Sequence, residues 1–293
     1  LATNPNHQNA ADTPNRHDED SRREGSHDKK DAGEMSFWGH LDQLRSVIFK
    51  IAGVVIALSI GFFFVMKTLF DKVILAPCSS DFITYRMFDF LHGDGEFLPD
   101  MSGLDFSVSL ININLGTQLM THLSASMWFG IIFSFPVIIY LLWTFVSPAL
   151  YENEKRGARR AFLFGNAMFF LGVLVAYFIV FPLVLRFLSQ YQLSDKIVNT
   201  LTLDSYMDSF YTIALSMGVV FELPLVAWLL GKMGLLKRSF FSRFRRHAIV
   251  ALLITAALIT PTSDVFTLAI VFVPLYMLWE FSSRLVPKDE AND

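Results

Sequence analysis

Six stretches of nearly unbroken apolar sequence leave this chain few ways to fold. They lie near Val47–Met66, Met127–Val146, Ala161–Leu185, Phe210–Gly231, Ala248–Thr260 and Val265–Phe281. The first four are long enough to cross a hydrocarbon core of about 30 Å as helices. Composition agrees: 53% of the 293 residues are hydrophobic, 30 are Phe and only 17% are charged, a balance foreign to a soluble domain. The chain therefore reads as an all-α membrane protein with six transmembrane helices, the last two of them short.

Ala248–Thr260 as a helix covers only about 20 Å, from a rise of about 1.5 Å per residue. Pro261 stops it, and Ser263 or Asp264 can cap the helix that follows. Such a hairpin fits a re-entrant loop or a full crossing in a thinned bilayer. The loop charges favour the crossing. With the N-terminus cytoplasmic, the inside segments hold Lys29, Lys30 and Arg45, then Lys155, Arg156, Arg159 and Arg160. The next inside segment holds Lys232, Lys237, Arg238, Arg243, Arg245 and Arg246, and the tail holds Arg284 and Lys288. The outside loops offer only Lys72, Arg86, Arg186 and Lys196. The positive-inside rule places both termini in the cytoplasm. Trp38, Trp143, Trp228 and Trp279 fall at the cytoplasmic ends, with Trp128 outside.

Three regions flank the spans. Residues 1–35 contain almost no large apolar residue and form a charged tail expected to be disordered. The chain starts on Leu1, and Met35 is a candidate natural start. The membrane domain runs over 36–285, and 286–293 form a cytoplasmic tail. Residues from about Asp71 to Gly116 form an acidic outside segment, expected to fold as a cap. In it "DFSVSLI" predicts a short strand and "HGDG" a turn. Cys78 is the single cysteine, so no internal disulfide is possible.

Candidate sites emerge where charge or proline interrupts this pattern. In "SFWGHLDQLR", Phe37, Leu41, Leu44 and Ile48 make one helical stripe, with His40, Asp42, Gln43 and Arg45 off it. This is an amphipathic segment entering the first span, and a simple interfacial anchor is the plainer reading. In "SPALYENEKRGARR" the cations follow from topology, but Glu152 and Glu154 do not. Either acid suits the first turn of a helix beginning near Asn153. If the helix starts as early as Glu152, that residue has Lys155 and Arg156 at i+3 and i+4, whereas Glu154 has Gly157 and Ala158. Glu154 is then free to meet a cation from outside the chain.

Glu222 in "FELP" lies within the fourth span, where a carboxylate costs on the order of 3 kcal/mol to insert. Pro224 leaves the Val220 carbonyl without its helical donor. A Glu bonded to loosened backbone and a functional polar spot are both open. Pro136, Pro182, Pro224 and Pro274 should kink their helices, which together can form a concave wall. No apolar span holds a His, a Ser/His pair or a metal-binding motif, and no Gly-rich phosphate loop occurs, so an enzyme, a metal site and a cofactor are not expected.

"HLDQLR", "FPVIIYLLWTFVSPALYENEKR", "FELP" and "LITPTSDVF", in this order between Trp38 and about Arg284, resemble the TatC family, multi-spanning receptor subunits of the twin-arginine translocase. The long second motif, with Pro136, Phe145, Pro148 and Leu150, is the most specific. The resemblance implies a bacterial inner-membrane protein that binds Arg-Arg signal peptides of folded substrates at the cytoplasmic face. It also implies assembly with TatA-type and TatB-type single-span partners, self-association, and export driven by the proton gradient. No nucleic-acid partner is implied. The first signal-peptide motif falls on His40, Leu41, Gln43 and Arg45. Of the family's two Arg-binding carboxylates, one matches Glu154, and the other falls on Gln43, where the charge is absent. Glu222 matches the family's intramembrane glutamate. Thr260 matches a polar position used near single-span partners, in the hairpin that Asp264 completes. The corresponding polar residue of the last helix is replaced by Leu268.

Two readings of another class remain beside it. A proton-coupled secondary transporter using Glu222 would carry inverted repeats, and none is visible. A membrane assembly scaffold would leave Glu154 as a helix-start acid, and a peptide-binding assay distinguishes it.

Overall fold

The computed structural model describes residues 37–92, 108–146, 152–194, 196, 200–232, 234–262 and 264–286; at 37, 38, 40, 88–92, 146 and 152–161 it describes the backbone alone. The charged tail, the "HGDG" turn after His92, and Pro148 and Leu150 therefore lie outside the described residues. The chain divides between Phe49 and Lys50 into two units, which are taken in turn.

The first unit supplies the start of helix α1 (Phe37–Leu69). It is helical from Phe37, as the apolar spacing predicts, and no break separates the amphipathic segment from the span. Leu41 and Ile48 are exposed, and Arg45 sits 5.6 Å from the Phe49 ring centroid.

The second unit continues α1 into a π-helical turn, Phe70–Ile74, and a 3-10 turn, Ala76–Cys78. Helix α2 (Ile83–His92) and strand β1 (Leu110–Ile111) follow. Then come α3 (Thr117–Val146), α4 (Glu152–Val175), a π-helical turn (Ala176–Val180) and α5 (Phe181–Gln190). Strand β2 (Leu201–Thr202) leads into α6 (Leu203–Val220), α7 (Leu223–Lys232) and α8 (Arg238–Arg243). Helices α9 (Arg245–Ile259) and α10 (Val265–Leu285) complete the order.

Among the described residues, five helical segments are long and apolar enough to span a bilayer: Leu41–Cys78, Thr117–Phe145, Phe162–Gln190, Leu203–Lys232 and Val265–Leu285. The expected fifth crossing is α9, whose 15 residues reach about 22 Å. The expectation that both last helices are short holds for α9 and needs correcting for α10, which has 21 residues. Its last turn, with Ser282, Ser283 and Arg284, stays helical past the apolar run, and Pro287 lies just beyond its end.

Two of the four prolines, Pro182 and Pro224, coincide with a change in the helix. Pro136 and Pro274 sit inside continuous helices. Pro182 removes the donor for the Phe178 carbonyl, and the helix widens into the π-helical turn before it. Pro224 coincides with a complete break: α6 ends at Val220 and α7 begins at Leu223. Helices α4 and α6 approach so closely that a Cβ on Gly172 would lie 2.6 Å from the Met217 carbonyl oxygen, which only glycine permits.

At one end of the spans, hydroxyls tie the segment after α1 to the bundle. Tyr177 donates to the Val73 carbonyl at 2.8 Å, and Tyr206 donates to that of Ile74. Tyr85 reaches the carbonyl of Pro77 at 2.9 Å. Of the described part of the predicted strand, residues 108–111, Leu110–Ile111 is extended and pairs in parallel with Leu201–Thr202. That partner, remote in sequence, gave no periodic signal in two residues. The apolar core of this unit includes Met66, Ile74, Val180, Tyr206, Ile213, Met217, Val271 and Leu275.

Candidate functional site

Gln43 lies two turns into α1 and is half-buried. Its Oε1 is buried and accepts no hydrogen bond. An amide oxygen in that condition is an acceptor awaiting a donor. Leu41 is 40% exposed and Arg45 is exposed. His40 is described by its backbone alone, as is Glu154. The backbone shows that α4 begins at Glu152, one residue earlier than expected, so Glu154 belongs to its first turn. Helical spacing then gives Glu152, and not Glu154, cations at i+3 and i+4.

Deeper in the second unit, the break between α6 and α7 puts Glu222 outside regular helix. Its amide donates to the Val219 carbonyl at 3.1 Å, and its own carbonyl accepts from Val226 at 3.0 Å. Both carboxyl oxygens are buried without a hydrogen-bond partner. They lie against α4, where an added Cβ on Gly165 would come 2.9 Å from Oε2. The reading of a Glu bonded to loosened backbone is therefore not what the side chain does. Pro224 coincides with the helix break, but the carboxyl group bonds no freed carbonyl and lies beside Gly165 of α4.

Sequence reasoning passed over Asn166, the residue after Gly165. Its Nδ2 donates to the Phe162 carbonyl at 3.0 Å, while its Oδ1 is buried and unpartnered. An uncharged amide in an apolar run raises no alarm on hydropathy, although its two-sided bonding demand was a usable signal.

The hairpin is built as its turn residues predict. Thr260 ends α9 in extended geometry, and its buried hydroxyl has no partner. Asp264 caps α10, accepting from the amides of Phe266 at 3.0 Å and Thr267 at 2.9 Å. The hydroxyls of Thr262 and Thr267 donate to its other oxygen at 2.7 and 2.6 Å. Slight burial pushes the Asp264 carboxyl up, but these hydrogen bonds outweigh it and hold the group below its ordinary value. Asp264 is thus occupied by structure, whereas Thr260 and Glu222 are open. Leu268, where the resemblance leads one to expect a polar group, packs against the core. Phe145 is half-buried at the end of α3.

Among the described residues no cluster of His, Cys, Asp and Glu could hold a metal. Fold and site together define a polytopic helical membrane protein with unpartnered polar groups inside its spans. Residues 39–274 match the family model for the Sec-independent protein translocase protein TatC, and the chain belongs to that family. It is 33% identical over 260 residues to the TatC protein of Blattabacterium, covering 87% of this chain and 96% of that one. A Helicobacter pylori TatC (strain J99) is 30% identical, with 87% and 92% covered. A crystal structure described as the twin arginine translocase receptor TatC superimposes with a TM-score of 0.65 at 29% identity, over 84% of this chain and 97% of its own. A second, in DDM, gives 0.67 at 28% identity. The chain is a translocase component of Sec-independent protein transport, a family of transport proteins.

Proposed function

We propose that this protein is the receptor subunit of a twin-arginine translocase. It binds the Arg-Arg motif of signal peptides on folded proteins at the cytoplasmic face of the inner membrane. The observation that carries this is the likeness to a solved translocase receptor over 97% of that protein's length, with the family's motifs in the same order. On this reading α9 is a sixth crossing, both termini are cytoplasmic, and the kinked helices form a concave wall. The membrane domain is residues 36–285, between the charged tail and a short cytoplasmic end, with 71–116 as an outside cap.

Two groups are proposed to receive the guanidinium pair. Glu154 supplies a carboxylate in the first turn of α4, and Arg is preferred because its planar fork bonds a carboxylate bidentately, as Lys cannot. Gln43 supplies a neutral acceptor, flanked by His40, Leu41 and Arg45. Pro136, Phe145, Pro148 and Leu150 shape the span and loop that present Glu154. TatA-type and TatB-type single-span helices are proposed to meet the polar groups Glu222 and Thr260, and assembly includes further copies of this chain.

The test is binding of an Arg-Arg signal peptide, beside a Lys-Lys control, to the full chain in a lipid nanodisc. Selective binding that is lost in Glu154→Ala supports the receptor. Equal binding of both peptides, or of either one by Glu154→Ala and the parent alike, overturns it.

A further inference from the structure

The connection from α7 to α9 carries six cations in fifteen residues: Lys232, Lys237, Arg238, Arg243, Arg245 and Arg246. Among the described residues one of them has an ion-pair partner, Arg245, which bonds Glu280. Tyr276 also donates to the same carboxylate oxygen at 3.2 Å. Among the described residues the other five make no ion pair. Lys232 and Arg243 sit in the last turns of α7 and α8, 5.3 and 5.8 Å from the Trp228 and Phe244 ring centroids, whereas Arg246 stands in the first turn of α9, where the helix dipole disfavours a cation.

Apolar groups are interleaved with these charges, and they are held in place. Phe241 is buried against Trp279, 4.6 Å between ring centroids, within a small cluster completed by Ala227 and Val286. Anchoring that face of α8 turns Phe240 and Phe244 outward, 40% and 37% exposed, with their rings 4.6 Å apart. Leu235 beside them is 70% exposed. The connection joins the end of an apolar span to the start of an apolar helix, so it lies at the hydrocarbon boundary whichever way the chain is oriented.

We propose that the α7–α9 connection is a binding site for anionic phospholipid headgroups, with Arg238, Arg243 and Arg246 meeting the phosphate and Phe240 and Phe244 entering the acyl boundary. Unpaired cations beside a fixed pair of aromatic rings are the complement of an anionic interface: charge for the headgroup and an apolar wedge for the chains. An acidic polypeptide would use the cations but would leave both rings and Leu235 in water. The site is independent of signal-peptide recognition, since no residue assigned to that role belongs to it.

The test uses the full chain in a neutral detergent and a fluorescent short-chain phosphatidylglycerol, with phosphatidylcholine, glycerol 3-phosphate and an octaglutamate peptide as competitors. Phosphatidylglycerol is expected to bind and to be displaced by its unlabelled form at far lower concentration than by the other three. At about fivefold per charge, Arg238→Gln/Arg243→Gln/Arg246→Gln weakens binding on the order of 100-fold. Phe240→Ser/Phe244→Ser keeps every cation and also weakens lipid binding, which guards against a misfolded triple variant. Competition by phosphatidylcholine equal to that of phosphatidylglycerol overturns the site. So does undiminished binding in both variants. Displacement by glycerol 3-phosphate at lipid-like concentration makes it a site for soluble phosphate, and stronger displacement by octaglutamate makes it a protein-docking surface; either result overturns the lipid assignment.

Discussion

The hydroxyl of Thr84 in α2 donates to the carbonyl of Phe178, the acceptor that Pro182 deprives of its helical donor. A proline within a span would otherwise leave a buried carbonyl unsatisfied, which costs about 1–3 kcal/mol. Helix α2 is thereby fastened to the defect in the span. Thr84→Val keeps the shape and removes the donor. It is expected to lower unfolding stability in detergent by about 1–3 kcal/mol, whereas Thr84→Ser stays near the parent. A Thr84→Val protein as stable as the parent would show that water reaches this carbonyl.

Tyr206 fastens the same region from another side through the Ile74 carbonyl. The phenol is 1% exposed, so water cannot replace it. Tyr206→Phe should destabilise by about 1–3 kcal/mol. Tyr177→Phe, removing a bond to Val73 from a half-buried ring, should cost less, about 0.5–1.5 kcal/mol. Equal effects from the two changes would contradict the burial difference.

Much of this architecture was legible in the sequence, and the parts that were not share a physical reason. Apolar length marks the long spans because it rests on many residues acting alike. Asp264 was legible as a cap because capping is a local bond between near neighbours. The Thr84–Phe178 bond, the tyrosine clasps and the two-residue pairing of Leu110 with Leu201 are single contacts between remote residues, and periodicity carries no trace of them. The unpartnered state of Glu222 was equally hidden, since Pro224 offered nearby carbonyls that the side chain does not use. For the signal-peptide site, the resemblance supplied the roles. Helical spacing alone separated Glu154 from Glu152, and the start of α4 at Glu152 satisfies the condition on which that separation rested.

Asp264 makes α9–α10 hairpin stability depend on pH. Its folded value lies below the ordinary 3.8 because its hydrogen bonds favour the ionised form. The sign follows: the stabilisation is fully present above pH about 3.8 and is lost as pH falls through the lower folded value. Thermal unfolding of the parent should therefore weaken below that pH, and Asp264→Asn should flatten this portion of the profile. At neutral pH Asp264→Ala should cost about 0.5–2 kcal/mol, the range for losing a helix cap.

Gln43 offers a gain-of-function test of the receptor reading. Its Oε1 already lacks a donor, so an incoming guanidinium has an acceptor but no opposite charge. Charge-assisted hydrogen bonds are about twice as strong as neutral ones. Gln43→Glu is expected to tighten Arg-Arg peptide binding by about tenfold, with a steeper salt dependence, and to leave a Lys-Lys peptide nearly unaffected. Unchanged or weaker Arg-Arg binding would mean that this position faces something other than the signal peptide.

Glu222 separates stability from function most sharply. Its two carboxyl oxygens are buried and unpartnered, so they contribute a desolvation cost and no bond within the chain. Glu222→Met should then be as stable as the parent or more so, yet should fail in export if the carboxyl group serves a partner helix. The contact with Gly165 gives a second handle. Gly165→Ala places a methyl 2.9 Å from Oε2 and 2.5 Å from Leu225 Cδ2, an overpacking expected to cost about 1–3 kcal/mol. In a Glu222→Ala background the oxygen is gone and the Leu225 contact remains, so the cost should fall by at least about 0.5 kcal/mol. Additive effects in that double-mutant cycle would mean that the carboxyl group swings clear of α4. A stable Glu222→Met protein with full export activity would make the residue dispensable to the translocase and leave its burial without a function.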